Sequence, residues 1–301
     1  MYGTDYQVRK GTISAKLGGD AALWKTTADT VTLSAANTYT GATIILAGTL
    51  KLAVGAAMAS KSVWVVQGAR MDVEGLYRQT AGSTAVDGLV RLLGGSAVFD
   101  AGTLDIRTAS GGTMDLTTRG LIVNYDTASP LAQVTDWIRQ GFDLPGGGNW
   151  DGPGITSADA ATQPDRLTAV GVLPNTDEKV GGKTTFEGEP VDATTVLAAY
   201  TWWGDANLDG VVDANDYDVI DKMFLFTPVP DNTGWWTGDF TYDGVIDAND
   251  YDRIDKAFLF QTGPLGGGAD GGPAAPTPEP ATLILVAAGV LGLWGSRRRR
   301  A

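Results

Sequence analysis

Apolar positions recur along this chain with different periods, and each period predicts a different kind of element. Up to about residue 125 they come in short runs closed by Gly, Asn, Ser or Asp: VTL (31–33), ATIIL (42–46), GTLKLAV (48–54), VWVVQ (63–67), RMDVEG (70–75), LVRLLG (89–94), AVFD (97–100) and GTLDIRT (102–108). Strands this short and this evenly punctuated predict an all-β sandwich, barrel or solenoid over 1–125. The texture then changes. LIVNYD reads as a closing strand, and over 129–142 Leu131, Val134, Thr135 and Ile138 fall on one side of a predicted helix. Asp136 near its start and Gly141 after its end fit helix boundaries. A Gly-rich loop, GGGNWDGPGITSADAA, leads to a short helix capped by Ser157, with strands expected around 167–173 and 191–200. Residues 126–200 thus read as a small α+β adaptor.

Helical periodicity returns twice more. Tyr217, Ile220 and Phe224 share one face, as do Tyr251, Ile254 and Phe258, while Asp218–Lys222 and Asp252–Lys256 stand at i,i+4 on the wet side. Each helix follows an acidic loop, and the two loop–helix units are duplicates. GDANLDGVVDANDYDVIDKMFLF (204–226) and GDFTYDGVIDANDYDRIDKAFLF (238–260) differ at six of 23 aligned positions. Carboxylates stand at loop positions 1, 5, 9 and 12: Asp205, Asp209, Asp213 and Asp216, then Asp239, Asp243, Asp247 and Asp250. Position 3 is Asn207 or Thr241, position 6 is Gly210 or Gly244, and position 7 offers the carbonyl of Val211 or Val245. A calcium ion takes six to eight oxygens, and a twelve-residue loop wraps one ion when alternate side chains point inward and glycine permits the turn at position 6. Two Ca2+ ions are expected.

Past residue 262 no core is expected. Residues 263–280 are rich in Gly and Pro, a linker composition. An uncharged apolar run follows at 281–296, then Arg297–Arg300. Sixteen residues reach about 24 Å as a helix, slightly short for a single transmembrane span, with the arginines on the cytoplasmic side and Trp294 at the interface.

Charge and composition narrow the chemistry. The net charge is −13, and the repeats hold twelve aspartates against Lys222, Arg253 and Lys256, so the acidity sits where bound calcium would offset it. No basic, aromatic-interleaved stretch supports nucleic-acid binding. Cys and His are absent from the sequence, which excludes thiol nucleophiles, Cys/His zinc sites and His-based triads. The start, MYGTDYQVRKG, has no apolar signal region, so the chain is expected to be the C-terminal part of a longer exported protein.

Four resemblances follow from these residues. The duplicated loop with Asp at position 12, one exit helix and no complete entry helix resembles a type I dockerin, over about 60 residues. That resemblance implies a small α-helical, EF-hand-like domain at 201–262, two halves related by pseudo-two-fold symmetry, and calcium-dependent docking to a cohesin domain. It assigns partner contact to Ala214, Asn215, Asp221 and Lys222 and to their equivalents Ala248, Asn249, Asp255 and Lys256. Their identity in the two halves would allow docking in either orientation. The family's Ser-Thr pair is missing at positions 10 and 11, and Thr241 gives a hydroxyl where an amide or carboxylate is usual. A standard cellulosomal partner is not expected, and the second site is expected to bind calcium more weakly. LSAANTYTGATIILAGTLKLAVGAAM (33–58) resembles the autotransporter-associated β-strand repeat, which implies rungs of a right-handed parallel β-helix, with Asn37 and Gly41 in turns and Ile44, Leu46, Leu50 and Leu52 in the core. The WDGPGI turn and the DATTVLAAYTWWGDANLDG junction resemble a spacer before dockerin repeats in planctomycete surface proteins. Pro278, Glu279 and Pro280, the apolar run and the terminal arginines (281–301) resemble a PEP-CTERM sorting signal, which implies export, recognition by an exosortase-type enzyme and residence in the membrane or envelope until any cleavage.

The resulting expectation is a non-enzymatic cell-surface interaction protein. Two alternatives stand beside it: an extracellular polysaccharide-degrading enzyme, with Asp72, Glu74, Asp100, Asp105 and Arg107 as solenoid candidates, and a sugar-binding protein using Trp202–Trp203 and Trp235–Trp236 as platforms. The tryptophan pairs, duplicated in step with the loops, are expected to pack the halves together or onto the adaptor.

Overall fold

A computed structural model describes residues 5–79, 82–94, 98–176, 182–225 and 233–265. Its first part winds through successive rungs. The first two are β1 (Asp5–Val8) with β2 (Gly11–Ile13), and β3 (Ala22–Lys25) with β4 (Thr30–Leu33). Three-strand rungs follow: β5 (Thr43–Ile45), β6 (Thr49–Leu52) and β7 (Ala57–Met58); then β8 (Ser62–Val65), β9 (Arg70–Val73) and β10 (Leu76–Arg78). Next come β11 (Ser83–Val86), β12 (Leu89–Leu92) and β13 (Val98–Ala101), then β14 (Thr103–Ile106), β15 (Thr113–Asp115) and β16 (Gly120–Asn124). Each strand pairs in parallel with its counterpart in the neighbouring rung, giving three sheets: β1-β3-β5-β8-β11-β14, β2-β4-β6-β9-β12-β15, and β7-β10-β13-β16. This is the solenoid among the sequence's three all-β options.

Register places like residues in columns. Val31, Leu50, Met71, Val90 and Met114 stack one above another inside the second sheet, all buried. On the outside of the same sheet, Lys51, Asp72, Arg91 and Asp115 alternate in sign. Stacked strands lie about 4.8 Å apart, close enough for each charge to meet its opposite in the next rung.

Two sequence expectations change here. Leu50 and Leu52 are buried, but Leu46 is 40 % exposed, and the inward positions of β5 are Thr43 and Ile45 rather than Ile44 and Leu46. Either phase of this strand is apolar enough to be core. The phase is set by a buried pair, the Tyr39 hydroxyl at 2.7 Å from Thr43 Oγ1, which repeats in a later rung as Tyr77 with Thr84 at 2.6 Å. Paired hydroxyls lose little by leaving water. Asn37 is a turn residue and a buried one: its amide receives Leu17 N–H and donates to Ala35 and Ala57, joining three rungs. At Gly41 a Cβ would stand 2.2 Å from the Ala21 carbonyl.

The adaptor residues continue these sheets. Helix α1 (Leu131–Phe142) buries Val134, Thr135, Trp137, Ile138 and Phe142. Gly141 lies inside α1 rather than after it, because a Cβ there would stand 1.9 Å from the Ile155 carbonyl; the chain leaves the helix at Asp143, φ 50°. Asp136 is correspondingly mid-helix, accepting from Gln140 at 2.7 Å. β17 (Gly154–Thr156) adds to the second sheet after β15. Ser157 caps α2 (Ala158–Thr162), accepting from Ala160 N at 3.0 Å. β18 (Thr168–Pro174), a hairpin of β19 (Thr185–Phe186) with β20 (Glu189–Pro190), and β21 (Thr195–Trp202) complete the fold before the repeats. β21 runs antiparallel to β16, and β18 antiparallel to β21, so the third sheet reverses direction as it ends. Every residue of β21 is buried, as are Thr168–Leu173 of β18. A strand buried on both faces has cover on each side, whereas β6 and β12 alternate.

The repeats supply that cover, with exit helices α3 (Ala214–Phe224) and α4 (Ala248–Phe260). Among the described residues no helix is long and apolar enough to cross a membrane. The expected linker at 263–280 begins on the fold, where Gly263 and Leu265 are hydrogen-bonded to Trp202 and Gly210; its remainder, the triplet Pro278-Glu279-Pro280 and the apolar run lie outside the described residues.

Candidate metal loops and docking face

Each loop is shaped by its own aspartates. At position 1, Asp205 accepts from Asp209 N at 3.1 Å and Gly210 N at 2.9 Å, and Asp239 accepts from Asp243 N and Gly244 N at 3.1 Å each. At position 12, Asp216 reaches back to Asp213 N and Ala206 N, and Asp250 reaches back to Asp247 N and Thr241 N. Asp213 and Asp247 at position 9 cap the helices, accepting from Asn215 N and Asn249 N at 2.7 Å, so positions 9 and 12 form a capping box in each repeat. At position 5, Asp209 and Asp243 bind the position 7 amides, those of Val211 and Val245. Asn207 at position 3 accepts from Asp209 N at 2.8 Å. Gly210 and Gly244 adopt φ 87° and 86°, the left-handed conformation the position 6 turn requires.

The chemistry of this donor set is lopsided. Asp205, Asp216, Asp239 and Asp250 are wholly buried, and Thr241 nearly so. None of the four is in an ion pair among the described residues; the lysines of the helices pair outward, Lys222 with Asp218 and Lys256 with Asp252. Burial, then the charge of Asp209, pushes Asp205 up to about 7. Burial, then the charge of Asp250, pushes Asp239 up to about 6. Asp216 is raised well above the carboxylate range by burial and by Asp205, and Asp250 is raised by burial. Thr241 Oγ1 lies against Asp250, is buried, and makes no hydrogen bond of good geometry. Buried carboxylates that repel one another, with an orphaned oxygen beside them, fit a hard cation. As they stand, no three acidic side chains of the described residues are gathered into a finished metal site.

The two halves repeat their contacts with each other. Gly204 lies against Ile254 of α4 and Gly238 against Ile220 of α3, so each repeat begins on the helix of the other. Tyr217 donates to Asp255 Oδ1 and Tyr251 to Asp221 Oδ1, both at 2.6 Å. Tyr217 meets Phe258 edge-on at 5.7 Å, and Tyr251 meets Phe224 at 5.5 Å. Ala214, Asn215, Asp221, Lys222, Ala248, Asn249, Asp255 and Lys256 are all exposed. Asp221 and Asp255 are nevertheless held by the tyrosine of the opposite half. The sequence reading missed this cross-brace, whose signal was a Tyr and an Asp kept four apart in both copies.

The tryptophans pack inward. Trp202, Trp203, Trp235 and Trp236 are buried, so none presents a face to a sugar. Trp235 Nε1 donates to the Asp205 carbonyl at 2.7 Å and Trp202 Nε1 to the Gly263 carbonyl at 2.9 Å. The solenoid carboxylates are ion-paired: Asp72 with Arg70 and Arg91, Glu74 with Lys51, Asp100 with Arg78, and Asp105 with Arg107.

Duplicated loop–helix units with reciprocal contacts, acidic buried loops and a mirrored outer face define a paired loop–helix module. Residues 203–259 match the dockerin type I domain, and residues 276–300 match the PEP-CTERM protein-sorting motif. The chain therefore carries a type I dockerin domain and a PEP-CTERM tail, features of an exported surface protein. No curated protein and no solved structure matches the chain.

Proposed function

We propose that this is a surface interaction protein whose dockerin module binds two calcium ions and, so loaded, docks a cohesin-like domain. The observation that carries the reading is the set of four wholly buried aspartates, two per loop, with no ion-pair partner among the described residues. Calcium would supply the missing positive charge. Asp205, Asn207, Asp209, Val211, Asp213 and Asp216 would hold one ion, and Asp239, Thr241, Asp243, Val245, Asp247 and Asp250 the other. The mirrored exposed positions support a partner site that can be met in two orientations, with Asp221 and Asp255 held in place for it. The PEP-CTERM match supports an exosortase-type enzyme as the sorting partner. A structural rather than enzymatic role is favoured by the ion pairing of the solenoid acids, across rungs for Asp72, Glu74 and Asp100, and by the burial of the indoles.

Titration of the full chain with calcium, followed by calorimetry, tests the first half. Two ions per chain are expected, falling to one in Asp216→Ala and in Asp250→Ala. Affinity capture from the native envelope fraction, in calcium and in chelator, tests the second. A cohesin-type protein retained only in calcium supports the reading; a chain that binds no calcium overturns it.

A further inference from the structure

The dockerin module is built into the end of the solenoid, and its two loops meet the last strands there through different contacts. At position 4 of the first loop, Leu208 is packed with Trp235 over Gly171 of β18, where a Cβ would stand 2.7 Å from both side chains. At position 4 of the second loop, Tyr242 is buried and donates its hydroxyl to the Val170 carbonyl at 2.6 Å, and Arg139 of α1 donates to the Tyr242 carbonyl at 2.8 Å. Phe142 of α1 joins the same cluster, 6.5 Å from Tyr242 and 5.4 Å from Trp203 between ring centres. Arg253 of α4 lies over Trp203 at 4.7 Å. The second loop is thereby bonded to both terminal elements of the solenoid, the helix α1 and the last strand of the third sheet. The first loop also meets the solenoid, through the hydrogen bond of Thr201 in β21 to Asp205, and it is closed in addition by the segment after α4: Gln261 exchanges hydrogen bonds with Val212 at 2.9 and 2.7 Å, and Leu265 N donates to Gly210 O at 2.9 Å.

We propose that the paired repeats are the closing cap of the β-solenoid, and that calcium in the second loop fixes the cap in place. Without the module, β18 and β21 would expose a sheet face that is buried throughout. Tyr242 and Arg139 are the positioning residues. Neither is a loop ligand; each ties the loop's backbone or side chain to the solenoid. Ordering of the second loop therefore orders β18, and through β18 the strands β21 and β16. The inference rests on the calcium reading above, and the test separates the two.

Hydrogen exchange of the full chain is followed by mass spectrometry over β16, β18 and β21, in calcium and in chelator. Metal occupancy is read independently by tryptophan-sensitised luminescence of terbium in place of calcium. At calcium one hundred times its dissociation constant, exchange of these strands through the coupled opening is expected to slow about 100-fold. In Tyr242→Ala, and in the milder Arg139→Gln, terbium is still bound but most of that slowing is lost. Terbium binding without any calcium effect on the three strands of the parent would overturn the coupling and leave the calcium reading intact. Absence of terbium binding in the parent would overturn both.

Discussion

Asp205 and Asp239 bind protons far more readily in the metal-free fold than in an unfolded chain, up to about 7 and about 6, because burial and neighbouring carboxylates oppose their charge. The folded state then holds more protons than the unfolded state between about pH 4 and those values. Metal-free protein therefore loses stability as pH rises across that window, the opposite of a salt-bridged aspartate. Thermal melts in chelator are expected to show a higher Tm at pH 5 than at pH 7.5. Saturating calcium should abolish or reverse that difference, since the carboxylates are ionised in the complex. The same competition weakens calcium binding below pH 7. At this scale the sequence picked out the loops, because their duplicated spacing is plain, but it did not show that burial would fall on positions 1 and 12 while Asp243 and Val245 stay exposed. It concealed the phase of β5, where Ile44 and Leu46 outweigh Thr43 by hydropathy but not by fit. Hydroxyl pairing between Tyr39 and Thr43 is a contact across four residues of irregular chain, which alternation alone does not encode. Thr43→Val leaves the Tyr39 hydroxyl buried and unpaired, and chemical denaturation is expected to read a loss of about 1–3 kcal/mol.

Elements were legible where their period was long enough to count. Helices α1, α3 and α4 all follow from spacing, and Ser157 announced α2. What spacing could not give was the end of α1, where Gly141 is a contact residue rather than a stop signal. Its absent side chain answers to Ile155, a residue on another element, so no local rule contains it. Helix pairing in the module has the same origin. Gly204 on Ile254 and Gly238 on Ile220 are reciprocal contacts, visible in sequence only as a repeated glycine before each loop. Ile220→Ala and Ile254→Ala remove matching halves of this core, and each is expected to cost about 2–5 kcal/mol. Guanidinium unfolding in calcium should show the two losses to be similar in size. A large difference would mean that the halves carry unequal shares of the packing.

Across the whole molecule, the striped solenoid and the acidic repeats were each evident from sequence, but their union was not. The junction is made of aromatics contributed from far apart in the chain: Phe142, Trp150, Trp203, Trp235 and Tyr242 lie within ring contact of one another in sequence order of neither domain. Composition reveals tryptophans; only the fold reveals what they cover. A fragment beginning near residue 199 would bare this aromatic face to water. Gel filtration of such a fragment in calcium is expected to show more self-association than the 301-residue chain under the same conditions.

The segment from Gln261 to Leu265 has a mechanical consequence. Coming inward from the C-terminal side, the first noncovalent grip among the described residues is the Leu265–Gly210 hydrogen bond, followed by the bond of Trp202 in β21 to the Gly263 carbonyl and then by the Gln261–Val212 pair. Tension applied from the C-terminal side would therefore meet the first acidic loop first and the strand β21 next. A stiffened loop there would act as the knot that keeps a pull from that side from unwinding the coil behind it.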